Sequence, residues 1–271
     1  MIDNESMNDI DKDLNSPDWR IRFARVLRTD WAATSEQVEG GLMDDHRMVR
    51  RAWTRRTDFT PTPELIEKGL NSGDWTVRVG FVKRMDWTPT PEQVEKGLND
   101  KDISVYMAWV KRMDWTPSPG QVEDGLTSIN WSIRQAWAKR MDWTPTQEQI
   151  ERGLTDSELK VQVAWISRID VPTSEQVERG LSDKDANVRI AWVEHHGFTP
   201  TQAQIERGLN DALAIIRATW VKRTDFTPTH EQLESGLKDT HKDVRDAWME
   251  RFKIEQEKLM IAENELLEAS L

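Results

Sequence analysis

The chain repeats itself every 28 residues. Anchor leucines stand at Leu14, Leu42, Leu70, Leu98, Leu126, Leu154, Leu181, Leu209 and Leu237, nine copies with a single 27-residue step between Leu154 and Leu181. A fixed period of this length predicts an array of small units that bury their apolar faces only against their neighbours. It argues against one globular core built around a catalytic pocket.

Residues 87–114 show how one copy is built. Thr90-Pro91-Glu92-Gln93 predicts a helix start, with Thr as N-cap, Pro at the first helical position and Gln closing a capping box. The same pattern recurs at Thr34/Gln37, Ser118/Gln121, Thr146/Gln149, Thr173/Gln176, Thr201/Gln204 and Thr229/Gln232, whereas Thr62 is followed by Leu65. Val94 and Leu98 share one face of this short helix. Residues 99–102 form a turn, and Asp102 is the expected N-cap of a second helix, with Asp18, Asp74, Asn130 and Asp185 as equivalents. That helix runs to about Arg112 and brings Val105, Ala108, Trp109 and Arg112 to one side. Helices this short are unstable alone and must stack. The expected fold is therefore all-α, an α-solenoid of about nine helical hairpins with an acidic C-terminal capping helix. Its parts are an acidic N-terminal cap with a partial first repeat helix (1–13), one elongated repeat array (14–253) and the capping helix (254–271).

The second half of the copy, Leu98-x-Asp100-x-Asp102-x-x-Val105-Tyr106-x-Ala108, resembles a HEAT-type repeat. Val49-Arg50, Val77-Arg78, Ile133-Arg134, Val188-Arg189, Ile216-Arg217 and Val244-Arg245 match that pattern more closely. The short first helix beginning Thr-Pro-Glu looks like the leucine-rich-repeat variant, a shorter relative of the same class. The resemblance covers about residues 8–253 and implies an α-solenoid. It also implies a buried ladder between the Asp and Arg of adjacent repeats. Some variant proteins carry a cysteine-bound iron–sulfur cluster, which does not transfer to a chain without cysteine.

The absence of cysteine suits a reducing compartment. With no signal-peptide pattern and no membrane-length apolar run, a soluble cytoplasmic protein is expected. The net charge of −11 is concentrated at the ends: residues 1–13 and 254–271 carry −4 each. Acidic ends on a near-neutral body suit solubilising caps. The pattern is neither the basic signature of a typical nucleic-acid binder nor the uniform acidity of a DNA mimic.

Trp53, Trp109, Trp137, Trp165, Trp192, Trp220 and Trp248 fall on the core side of the second helix. A second aromatic column, Trp31, Phe59, Trp87, Trp115, Trp143, Phe198 and Phe226, precedes each first helix and is expected to pack as a staple on the entering chain. For the arginines Arg22, Arg50, Arg78, Arg134, Arg189, Arg217 and Arg245, two kinds of partner are available. One is the Asp or Ser two residues after each leucine; the other is the acid three before it. The step at Asp170-Val171-Pro172 and the following Glu194-His195-His196-Gly197 suggest a bend or loosened joint. Adjacent histidines diverge on a helix, so a metal site is not expected.

The columns that vary sit opposite the core. Five residues after each leucine the chain places Trp19, Arg47, Trp75, Ile103, Trp131, Leu159, Ala186, Ala214 and Lys242; nine after, Phe23, Arg51, Val79, Met107, Gln135, Val163, Ile190, Ala218 and Asp246; thirteen after, mostly bases, Arg55, Lys83, Lys111, Lys139 and Lys222. These columns predict an apolar edge beside a basic edge, unless the apolar side chains pack against the next repeat. The candidate partner-binding residues are Trp19, Arg51, Trp75, Lys83, Met107, Lys111, Trp131 and Lys139. No nucleophile elbow, phosphate loop or paired-carboxylate constellation occurs, so no catalytic residue, metal or cofactor is expected. The expected function is a non-enzymatic protein-binding solenoid, either a scaffold or an inhibitor that sequesters its partner. The alternative is a nucleic-acid-binding array using the lysine and tryptophan face. Residues 254–270 could cap the last repeat or pair with a second copy.

Overall fold

A computed structural model describes residues 7–268, with the side chains of residues 7–8, 258–259 and 262–268 outside the described set. The described residues form eighteen α-helices and no strand. The chain divides into two compact units, Met1–Gly125 and Leu126–Leu271. The first holds α1 (Met7–Leu14), α2 (Trp19–Leu27), α3 (Ser35–Leu42), α4 (Arg47–Trp53), α5 (Pro63–Leu70), α6 (Trp75–Val82), α7 (Pro91–Leu98) and α8 (Ile103–Lys111). The division falls inside α9 (Pro119–Leu126). The second unit holds α10 (Trp131–Lys139), α11 (Gln147–Leu154), α12 (Leu159–Ile166), α13 (Ser174–Leu181), α14 (Ala186–Glu194), α15 (Gln202–Leu209), α16 (Ala214–Lys222), α17 (His230–Leu237) and α18 (Lys242–Glu268).

Each unit is built the same way. First helices pair with the second helices that follow them, as in α5 with α6 or α13 with α14. Second helices also pack side by side, α2, α4, α6 and α8 in one unit and α10, α12, α14, α16 and α18 in the other. This is the tandem hairpin arrangement of an α-solenoid. The expected C-terminal helix is present as a continuation of α18, the second helix of the last repeat. Ile254 is half-buried and Ile261 exposed, whereas the side chains of Leu259, Leu266 and Leu267 lie outside the described residues.

Local chemistry sets the helix ends. Thr34, Thr90, Thr146, Thr173, Thr201 and Thr229 form full capping boxes with their glutamines, and Ser118 exchanges both bonds with Gln121. Thr62 still caps Leu65 through its hydroxyl, without the return bond. Asp18, Asp74, Asp102, Asn130 and Asp185 cap the second helices.

The core tryptophans are buried, and Trp53, Trp109, Trp165, Trp192, Trp220 and Trp248 each demand glycine on the first helix facing them. A Cβ on Gly41 would stand 1.9 Å from Trp53 Nε1, and one on Gly97 2.0 Å from Trp109 Nε1. Gly40, one residue earlier, faces open space.

Three sets of polar contacts join successive repeats. In the first, Arg78 donates from Nε and Nη2 to Asp100 at 2.7 and 2.8 Å, and Arg134 does the same to Asp156 at 2.7 Å. Arg22–Asp44, Arg189–Asp211 and Arg217–Asp239 repeat it. Arg50 reaches Asp74 instead, because Ser72 occupies the usual carboxylate position. The acid three before each leucine does not serve these arginines. It accepts from the capping-box glutamine of the next repeat, as in Gln93 to Glu67 at 2.6 Å and Gln176 to Glu151 at 2.7 Å. Lys68 and Arg179 add exposed ion pairs to Glu39 and Glu151.

The third set lies in the segment that ends the second helix, Lys-Arg-x-Asp at 83–86, 111–114, 139–142 and 222–225. Arg112 is buried, and its Nη1 donates to the carbonyls of Val82 and Arg84 at 2.9 and 2.8 Å, at the C-terminal end of α6. It also donates to Trp87 O and to Asp114, and its guanidinium lies 4.1 Å over the Trp87 ring. Arg56, Arg84, Arg168, Arg223 and Arg251 likewise bridge carbonyls of the preceding repeat and lie over Trp31, Phe59, Trp143, Phe198 and Phe226. The second aromatic column is therefore not a simple staple. Trp87 also packs edge-on against Trp109 and donates its indole N–H to Phe81 O.

Two joints in the second unit depart from this scheme. Arg168 makes no ion pair with Asp170, and burial lowers its pKa to about 10. In the next repeat His195 replaces the arginine, bringing Nε2 to 2.6 Å from Ile169 O while Nδ1 accepts from Gly197 N–H. The imidazole makes a thinner joint than the guanidinium fork.

Gly41→Ala is expected to lower stability by about 1–3 kcal/mol through overpacking on Trp53. Gly40→Ala should instead add up to about 1 kcal/mol from helix propensity, and urea unfolding followed by circular dichroism compares the two. The carboxylates of the first ladder predict an acid limit. Arg217 is the main cause that holds Asp239 below the ordinary carboxylate range. Burial alone would raise Asp100, but Arg78 and the Asp102 N–H outweigh it and its pKa is also lowered. The unfolded chain thus takes up protons first as pH falls. The ladder's contribution is complete above about pH 4 and is lost below it, so the urea midpoint should hold from pH 7 to about 5 and drop below 4. Asp100→Asn should lower the plateau and flatten the drop.

Candidate interaction groove

The first unit carries an open groove of about 790 Å³ across α4, α6 and α8. Equivalent positions on second helices that pack side by side form its walls. Trp75, 43% exposed, lines it from the column five after the leucine, and Ile103, equally exposed, stands in the same column on α8 outside the lining. Val79 and Met107, both half-buried, form the floor with Gly80 and Ala108. The small residues allow α4 and α6 to approach closely, since a Cβ on Gly80 would fall 2.2 Å from Thr54 Oγ1. Arg55, Lys83 and Lys111 form the opposite edge, Arg51 adds a fourth exposed base, and Met85 is 66% exposed nearby.

Most arginines at constant repeat positions are spoken for, but these four bases are not. Arg51, Arg55, Lys83 and Lys111 have no ion-pair partner among the described residues. The only acid lining the groove, Asp86, is already paired with Arg84. Four uncompensated cations therefore surround an apolar floor with one tryptophan at its edge. Such an arrangement can bind an anionic, partly apolar ligand; it contains no nucleophile–base pair.

Five of the eight sequence-predicted site residues, Arg51, Trp75, Lys83, Met107 and Lys111, line this groove. Trp19 does not: it is half-buried at the start of α2 and stacks on His46 with ring centroids 3.7 Å apart. Trp131 and Lys139 belong to the second unit. Trp131 is half-buried with Lys160 Nζ 4.8 Å over its ring, and Lys139 is exposed. Apolar packing against the neighbouring repeat thus applies to part of the offset-five column and leaves Trp75 and Ile103 open. Sequence reasoning missed Met85, whose signal was its recurrence as Met113 and Met141.

Comparison with protein-family models and with curated proteins gives no match for this chain. Among solved structures it is similar to a leucine-rich repeat variant with a novel repetitive protein structural motif, at 22% identity and a TM-score of 0.55. The match covers 82% of this chain and 88% of that one. The likeness is one of fold. It agrees with a repeat solenoid and carries no assignment to HEAT repeats in particular. No described helix is long and apolar enough to cross a membrane.

Trp75→Ala should cost less than about 1 kcal/mol, as for a surface substitution. Trp53→Ala, which empties a fully buried site, should cost about 3–5 kcal/mol. Thermal unfolding of the two variants separates groove from core.

Proposed function

We propose that the chain is a non-enzymatic binding protein that holds a protein partner in the Trp75 groove, as a scaffold or by sequestering it. The observation that carries this reading is the half-open Trp75 beside four bases without ion-pair partners, in a chain whose other constant charges are largely paired. Tryptophan and arginine with a surrounding ring of polar groups are the residue types that dominate binding energy at protein interfaces. The tandem-repeat fold supports it as well, because stacked repeats offer extended surfaces.

The test is capture from nuclease-treated native lysate with the tagged protein and its Trp75→Ala variant. One protein should be recovered in stoichiometric amount, and the variant should recover it at least about tenfold less well. Recovery that disappears with nuclease would replace this reading with nucleic-acid binding. Recovery unchanged by Trp75→Ala would move the interface elsewhere.

A further inference from the structure

We infer that the occupant of the groove is an acidic peptide segment with large apolar side chains, lying across α4, α6 and α8. This rests on the protein-binding reading above and adds the chemistry and spacing of the ligand.

The groove has two unlike edges and two unlike ends. Trp75 makes one edge apolar, whereas Arg55, Lys83 and Lys111 make the other basic, one base per repeat. Arg51 joins Arg55 near α4, whereas Lys111 is the one base at the α8 end, beside Met107 and Ala108. A ligand that satisfies both edges needs acids along one side and apolar groups along the other, with its acids densest toward α4.

Spacing narrows the ligand further. Neighbouring helices pack about 8–10 Å apart, so the bases of one edge recur at about that step. A polyproline II segment rises about 3.1 Å per residue with three residues per turn, so it covers the step in three residues with every third side chain on one side. A helix rising 1.5 Å per residue covers it in about six, and the seventh residue, two turns and about 10.5 Å on, is the one that returns to the same face. Acids at every third or every seventh position therefore match the edge, with apolar residues on the opposite side in the same rhythm.

A nucleic acid fits less well. The net charge of −11 is concentrated at the ends of a near-neutral array, so a long polyanion that leaves the four-base groove gains no net attraction from the rest of the chain. Trp75 is also the sole aromatic side chain lining the groove, whereas sequence-tolerant binding of single strands stacks successive bases on several rings. A short acidic segment ends before either difficulty arises.

The test is selection of a random 16-residue peptide display library on the full chain, with single-stranded dT15 as the nucleic-acid probe. Enriched peptides should be acidic, carry Trp, Phe or Leu, and place acids at the third- or seventh-residue step. Their binding should weaken at least about tenfold in Trp75→Ala and in the Lys83→Glu/Lys111→Glu double variant, with unchanged thermal unfolding. Replacing the peptide's acids by lysine should restore binding to the double variant. Neutral or basic enriched peptides, indifference to the groove substitutions, or groove-dependent binding of dT15 would each overturn the proposal. So would self-association of the native chain that the double variant abolishes, since a second copy would then fill the groove. If lysate capture depends on Trp75 while the selected peptides are neutral, the acidic-ligand inference fails and the protein-binding reading stands.

Discussion

The structure depends on a guanidinium held between two repeats. Helices of seven to nine residues, as nearly all of these are, cannot sustain themselves in water, so each must be fixed by its neighbours. Apolar packing supplies the drive but little register, because every repeat presents a similar Val, Ala and Trp face. Arg112 supplies direction: its fork fits the carbonyls of Val82, Arg84 and Trp87, and its plane covers the Trp87 ring. The positive charge also sits where the α6 dipole is negative, which helps offset the cost of burying it. Lysine, a single flexible ammonium, could not meet so many acceptors in that geometry.

The two other ladders work on different parts of the repeat. Arg78–Asp100 and its equivalents tie the turn of one repeat to the second helix of the one before, while the aspartate also caps its own turn through the Asp102 N–H. Each interrepeat glutamine serves twice, its oxygen accepting the N-cap backbone N–H and its amide donating to the acid of the preceding repeat, as at Gln93 and Gln176. Because these ladders consume most constant charges, the unpaired bases at Lys83 and Lys111 stand apart from the joints. Their role is not needed for register.

Much of this was legible in the sequence because it is local. Thr-x-x-Gln announces a capping box, and the i, i+3, i+4 spacing of Val105, Ala108 and Trp109 announces the buried face. The Asp–Arg ladder was legible through resemblance. The Arg112 joint was not, since Lys-Arg-x-Asp looks like ordinary surface charge until the carbonyls of another repeat are brought beside it. The same limit misassigned the acids before each leucine, whose glutamine partners are 25 or 26 residues away. Exposure at Trp75 against stacking at Trp19 depends on the neighbour, His46 in one case and an open groove in the other. Helical periodicity places both tryptophans on the same face and cannot separate them.

A division of labour follows from the joints. A position whose side chain enters a ladder is bound to two repeats at once, so changing it disturbs register on both sides. A position at offset five, nine or thirteen in the groove carries no such obligation. Arg47, Trp75 and Ile103 occupy equivalent places on α4, α6 and α8 although they differ in charge, shape and size. The scaffold tolerates that variety because the guanidinium joints and ion-pair ladders hold the helices in place without help from those side chains. Side chains across the groove can therefore vary at little cost to the fold, because repeat architecture makes no demand on them.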